Sequence, residues 1–279
     1  MIFSRLSRPA MRVFPPSSNR RYLNNLDLTS QGKRPSFLVV AFLTHRPAMK
    51  KNADLLSSIV HVSTVRAFQR RLMAWYKKHG RDLPWRRTRD PYAILVSEVM
   101  LQQTQVSRAI LYYERFLERY PTVEDLAGAD EGEVRESWEG LGYYNRVRNL
   151  QRTSQEILTK HKGRFPRTHE DLTALPGIGD YTAGAVRSFA FRHNAAILDT
   201  NAARVLSRFF ALLPTQQTNR FLWNVAHRVT PTGQAHVFNQ AIMDLGATIC
   251  VARVPRCDEC PVRMVCRYVT PRERKISPD

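Results

Sequence analysis

The chain has 279 residues, 43% of them hydrophobic and 24% charged, which suits one or two soluble globular domains and excludes collagen-like, disordered and disulfide-dense classes. Its longest apolar run, residues 37–43, has seven residues, against the roughly 20 that a membrane-spanning helix needs. Forty-three Lys and Arg against 24 Asp and Glu leave a net charge of +19, a balance that points to a polyanionic partner, most commonly nucleic acid.

Residues 1–50 hold nine of the basic residues and one acid, Asp27, so +8 of the charge sits in a leader and +11 in the rest. Rich in Ser, Arg and Pro and without a sustained helical period, the leader reads as an organelle-targeting peptide or a disordered basic arm; a true translation start at Met49 is the plainer alternative. The leader is taken to run to residue 60, ahead of a helical core over 61–268 and a tail over 269–279.

From about Thr64 the apolar residues recur at helical spacing and strand-like alternation is nearly absent, so the chain reads as all-α. Val65, Phe68, Leu72, Trp75 and Tyr76 share one face of a first helix that Gly80 ends. Pro91 opens a second helix through Glu98, an acid set within Ile94-Leu95-Val96-Ser97-Glu98-Val99-Met100-Leu101. Desolvation among such neighbours raises a carboxyl pKa and lets it hold a proton near neutrality; the bland reading is a buried structural acid. Further helices are expected at roughly 107–119, 131–139 and 144–161, with no 20–50-residue repeat.

A short helix near 168–174 meets a longer one from Asp180 to about 191 through Leu175-Pro176-Gly177-Ile178-Gly179. Two glycines one residue apart let backbone N–H groups point outward at a helix N-terminus, the chemistry of a helix-hairpin-helix phosphate clamp; a plain tight turn is the alternative. Asp199 precedes a helix over 202–212, whose positive end favours its charged form, although it reads equally as a simple N-cap. One acid kept protonated and one kept ionised is the division of labour for cleaving a glycosidic bond through a cationic sugar.

Helices at 217–229 and 235–248 lead to Cys250, Cys257, Cys260 and Cys266, four thiols within seventeen residues. Two disulfides would need an oxidising compartment that nothing in the chain indicates. Thiolate coordination suits zinc or an iron–sulfur cluster, and the single C-x2-C pair with outer ligands six and five residues away favours iron–sulfur over the paired C-x2-C of zinc ribbons. Arg253, Arg256, Arg263 and Arg267 lie among the ligands and are expected to offer cations to a phosphate backbone.

Together the segments RDLPWR (81–86), DPY (90–92), SEVMLQQTQV (97–106), WEGLGYYNRVRNL (138–150), LPGIGDYTAGAV (175–186), LDTNAARVLSR (198–208) and FNQAIMDLGATIC (238–250) resemble the helix-hairpin-helix DNA glycosylases of the endonuclease III superfamily, within it the adenine-specific mismatch glycosylases of the MutY type. The resemblance spans about residues 64–268. It implies a two-lobed all-α fold, with a six-helix barrel lobe near 90–200 and an iron–sulfur lobe from about 61–89 and 201–268, holding one [4Fe-4S] cluster on the four cysteines. It implies a monofunctional adenine glycosylase acting as a monomer on double-stranded DNA, on adenine opposite 8-oxoguanine or guanine. Such an enzyme works inside the cell: in bacterial cytoplasm or nucleoid, or in a eukaryotic nucleus or mitochondrion, with no membrane partner.

By the same resemblance Glu98 protonates the flipped adenine and then assists a water, Asp199 stabilises the cationic sugar, and Asn201 helps nearby. Tyr181 stands where bifunctional relatives carry a nucleophilic lysine. Arg81, Trp85, Arg86, Leu101 and Gln240 line the adenine pocket, Gln103 and Tyr143 wedge into the duplex, and Gly177 and Gly179 clamp phosphate. Two departures stand out. Thr200 replaces a glycine of the family's Asp-Gly-Asn signature, and the chain stops thirteen residues after Cys266, where longer members continue into an 8-oxoguanine-recognition domain; without that domain, ordinary A·G pairs become an expected substrate. The rival readings are a thymine glycosylase for T·G mismatches, against which LQQTQV and Glu98 speak, and a non-catalytic DNA-binding module.

Overall fold

A computed structural model describes residues 54–269, all within one compact unit. The leader up to residue 53 and the tail from residue 270 lie outside the described residues. Among the described residues there is no strand, and no helix is long and apolar enough to cross a membrane.

Two hydrophobic cores organise the chain. The first is built from residues between Leu83 and Ile197. At its centre lies α2 (Pro91–Leu101), in which every residue from Tyr92 to Met100 is buried. Asp90 caps it, accepting from the Tyr92 and Ala93 amides at 3.0 and 3.3 Å, and Pro91 occupies the first turn where no N–H is needed. Around α2 pack α3 (Val106–Arg119), α6 (Asn145–His161) and α8 (Asp180–Phe189), the last preceded by the short α7 (His169–Thr173). Small buried residues, Thr182 to Ala185, let α8 approach closely.

The second core joins α1 (Val62–His79) to α9 (Thr200–Phe209), α10 (Asn219–Val229) and α11 (Ala235–Thr248). Phe68 of α1 is fully buried, with its ring 4.2 Å from that of Phe209 and edge-on to Phe238 at 5.8 Å. Val60 is 1% exposed in this core and Val269 is 4% exposed, so folded structure begins before residue 61 and continues to residue 269.

The helices differ from sequence expectation where side chains outweigh periodicity. A short α4 (Val123–Gly128) was not expected; a capping box between Thr122 and Asp125 starts it. The helix expected over 131–139 stops as α5 (Glu131–Glu136), because Gly140 and Gly142 take positive φ and turn the chain under buried Trp138. Helix α9 begins two residues earlier than expected because Asp199 is its cap, and it ends where Ala211 adopts a left-handed φ of 51°.

Phe68→Ala is expected to cost roughly 3–5 kcal/mol in chemical denaturation, the range for emptying an aromatic site in a core. A loss below about 1 kcal/mol would contradict the close packing of α1 on α9 and α11.

Candidate active site

One cavity lies against both cores. It is lined by the 81–86 turn (Arg81, Leu83, Trp85, Arg86), by Glu98 and Leu101 of α2, by Tyr181 of α8, by the 198–201 segment and by Met243 and Ala247 of α11.

Glu98 is 3% exposed. Burial pushes its carboxyl up to about 7, and the Asp199 charge adds to this against the opposing hydrogen bond of Tyr181 and the charge of Arg86. Its Oε2 is buried with no hydrogen-bond partner. The Tyr181 hydroxyl is held well above its ordinary pKa by burial and by the carboxylates Glu98 and Asp199. It stays a neutral phenol.

Asp199 is an N-cap and a cavity residue at once. Its Oδ1 accepts from the Ala202 amide at 2.7 Å and its Oδ2 from Asn201 Nδ2 at 2.9 Å. Thr200 opens α9 and is absent from the positive-φ residues, so the backbone here makes no use of a glycine's freedom. Asn201 sits against α11 because position 246 is glycine: a Cβ there would stand 2.7 Å from the Asn201 Cβ.

The 81–86 turn is anchored by Asp244, a fully buried acid of α11. Asp244 accepts from the Arg81 amide and Nε at 2.9 and 2.7 Å, and from both terminal nitrogens of Arg86 at 2.8 Å. Burial opposes its charge, but the hydrogen bonds and charge of Arg86, with Arg81, hold the carboxyl below its ordinary range. Trp85, 7% exposed, meets Tyr113 edge-on at 5.4 Å while also lining the cavity.

Three of the residues singled out from the sequence are not part of this lining, although Gln103 sits between two that are, Gln102 and Thr104. Gln240 accepts from the Tyr76 hydroxyl at 2.6 Å. Gln103 and Tyr143 are exposed on separate turns, each with positive φ. The hairpin lies elsewhere again: Gly177 has φ +74° and its Cα faces Asn149, Thr153 of α6 donates to the Pro176 carbonyl at 2.9 Å, and Gly179 begins α8 with no side chain capping it.

Cys250, Cys257, Cys260 and Cys266 are free thiols lining one apolar cavity with Val205, Phe209 and Leu245. Burial pushes Cys260 up to about 12, with the other three thiols adding to it. Among the described residues no three His, Cys, Asp or Glu side chains close on a single metal-ion site. Arg208 laces the loop, donating to the Val251 and Ala252 carbonyls at 2.7 Å and to Cys250 Sγ at 3.6 Å. Of the four loop arginines, Arg253, Arg256 and Arg267 are exposed, whereas Arg263 is buried and paired with Asp258 at 3.1 Å. The expectation that all four face a phosphate backbone therefore fails for Arg263, whose side chain is largely buried and pairs within the loop.

Residues 96–228 match the family described as HhH-GPD superfamily base excision DNA repair protein. The chain is also 39% identical over 211 residues to a thymine-DNA glycosylase of Aeropyrum pernix, covering 73% of this chain and 95% of that one. It belongs to the HhH-GPD superfamily. A solved member, a thermostable thymine-DNA glycosylase, superposes with a TM-score of 0.69 at 31% identity, over 74% of this chain and 96% of the other. Adenine DNA glycosylase of Rattus norvegicus is 42% identical over 239 residues, 79% of this chain and 46% of the relative. The chain thus spans about half the length of that curated relative.

In this HhH-GPD chain two site residues escaped sequence reasoning. Asp244 looks like any helical acid until Arg81 and Arg86 fold onto it. Arg204 donates to Asn201 Oδ1 at 2.8 Å, to the Gly246 carbonyl at 2.7 Å and to the Cys250 carbonyl at 2.9 Å, tying the cavity wall to the cysteine loop. An i,i+3 spacing from Asn201 was its only signal.

Two consequences can be measured. Glu98 binds its proton more tightly folded than unfolded, so its contribution to stability falls as pH rises from about 4.5 through about 7. Glu98→Gln should therefore raise the melting temperature more at about pH 8 than at about pH 5; an equal shift at both would contradict the buried-acid assignment. Asp244→Ala leaves two arginines without their buried anion and is expected to cost roughly 3–5 kcal/mol in urea denaturation. Near-neutral stability would show that the turn is held by other contacts.

Proposed function

We propose that the protein is a base excision repair glycosylase that hydrolyses the N-glycosidic bond of adenine mispaired with 8-oxoguanine or guanine in double-stranded DNA. The observation that carries this reading is Glu98: a buried acid poised at about 7, with one carboxyl oxygen unbonded, lining a cavity that Asp199 also lines. Support for adenine comes from the resemblance of SEVMLQQTQV to the MutY type and from the rat relative's name.

A base must leave the duplex stack to reach such a cavity, at a cost of a few kcal/mol, about what an inserted side chain offsets. Gln103 and Tyr143, exposed on their turns, are assigned that insertion. The amides at the uncapped start of α8, with Gly177 and Gly179, bind phosphate and fix register without reading sequence. Inside the cavity Arg81, Trp85, Arg86 and Leu101 surround the extruded adenine; Gln240 is assigned a supporting place behind them through Tyr76.

Glu98 gives its proton to a ring nitrogen of adenine as the C1′–N bond breaks, and the bonding pair leaves with the base. The cationic sugar is stabilised by the Asp199 carboxylate, held in place by the Ala202 amide and Asn201. Glu98, now ionised, accepts a proton from the water whose oxygen bonds C1′. Tyr181, a phenol where bifunctional relatives carry lysine, forms no Schiff base, so strand cleavage is not part of the reaction. One [4Fe-4S] cluster on Cys250, Cys257, Cys260 and Cys266 would be a structural brace for the loop. The four thiols line one apolar cavity, and their single C-x2-C pair with outer ligands six and five residues away is the spacing that favours iron–sulfur over zinc. The enzyme is assigned to the cell interior, as a monomer.

A second reading, thymine excision at T·G mismatches, is favoured by the Aeropyrum pernix relative, which this chain covers over 95% of its length.

Incubation with duplexes carrying A·8-oxoguanine, A·G or T·G, followed by alkali, distinguishes the readings. Cleavage at adenine is expected; cleavage only at T·G selects the second reading, and none at all refutes both. Glu98→Gln should abolish excision while mismatch binding survives, and wild-type single-turnover rates should fall as pH rises through about 7, where the acid loses its proton. Cys257→Ser should remove a brown chromophore absorbing at roughly 400 nm; a colourless, zinc-containing wild type would overturn the cluster assignment.

A further inference from the structure

Gln103 and Tyr143 share an unusual backbone state. Their φ values are 57° and 49°, in the left-handed region that costs a side-chain-bearing residue roughly 1–2 kcal/mol. They belong to separate turns, one following α2 and the other following α5. Both residues are exposed, Tyr143 at 63%, so burial of their own side chains does not hold them there.

One side chain reaches both turns. Arg146, in the first turn of α6, places Nη1 3.0 Å from the carbonyl oxygens of Val99 and Met100 and 3.3 Å from Thr104 Oγ1, and also donates to the Gln102 carbonyl. Its Nη2 donates to the carbonyls of Leu141 and Gly142 at 3.0 and 3.1 Å. The guanidinium lies 5.5 Å from the ring centre of Trp138 and 5.6 Å from that of Tyr143. No carboxylate pairs with Arg146 among the described residues. Apart from the Thr104 hydroxyl its acceptors are backbone carbonyls: on one side those at the end of α2, which no helical N–H reaches, and on the other those of the glycine turn. A planar fork can serve two such sets at once; a lysine ammonium on a flexible stem cannot.

We propose that Arg146 is a positioning residue that locks the Gln102–Thr104 and Leu141–Tyr143 turns into one rigid insertion unit, and so sets discrimination between mispaired and fully paired DNA. The inference rests on the assignment of Gln103 and Tyr143 as inserted residues. Turns already held in the free protein need no ordering on binding, so their contacts with a disturbed base pair are not spent on lost entropy. The same guanidinium borders a cavity shared with Asn149 and Gly177, which places the clamp beside the phosphate hairpin.

The test compares wild type, Arg146→Met and Arg146→Lys. Two quantities are read: the ratio of affinities for an A·8-oxoguanine duplex and the same duplex fully paired, and hydrogen–deuterium exchange over 102–104 and 140–144. The ratio should fall about tenfold in the Met variant, the size of a coupling between contacting groups. Paired-duplex affinity, carried by phosphate contacts, should change by less than about twofold. Exchange should rise in both turns together. Lysine keeps the charge and should restore neither quantity fully; if the Met variant does not fold, the Lys variant decides. A residue that merely stabilises the fold would weaken both duplexes alike, so parallel losses overturn the proposal, as does a wild-type ratio or loosening of one turn alone. A wild-type protein without any mismatch preference would instead refute the functional reading, and the exchange data would still judge the clamp.

Discussion

Withdrawal of Glu98 from water is the constraint on which the rest of the site depends. A carboxyl on the surface would be ionised at neutral pH and would have no proton to give. Helix α2 solves this by being buried on every side, from Tyr92 through Met100, and Asp90 and Pro91 start it where its first amides have partners. That burial requires neighbours on all faces, and α3, α6 and α8 supply them. The first core is therefore the environment that sets the acid's chemistry as well as a source of stability.

The second core contributes through fixed charges that reach across to the cavity. Asp244 of α11 gathers Arg81 and Arg86 around one buried carboxylate. Such a cluster is a weak source of net stability, because desolvating the ions offsets their attraction. Its value is geometric: it sets where the 81–86 turn, and Trp85 with it, stands relative to Glu98. Arg204 does the same for Asn201 from the side of the cysteine loop.

Much of the fold was legible in the sequence because long amphipathic helices announce themselves by period, as α1, α6 and α11 do. Short elements do not: α4 has six residues, too few for a period, and its capping box was the only local signal. The environment of Glu98 was legible because its apolar neighbours are adjacent in the chain. Asp244 and Arg146 were not, since their partners lie about 160 and 45 positions away and nothing local distinguishes them from ordinary surface charges. Arg263 was misread although its partner Asp258 is close in the chain, because a basic stretch does not show which of its cations folding will bury.

Asp199 does ordinary structural duty as the cap of α9, and under the proposed function that duty acquires a catalytic consequence. Both of its oxygens are engaged, one by a backbone amide and one by Asn201, so the carboxylate has no rotamer freedom left to lose. A negative charge fixed before positive charge develops on a sugar stabilises it without reorientation, which is where preorganised sites surpass water. The low-entropy geometry needed for the proposed reaction is thus supplied by helix formation itself.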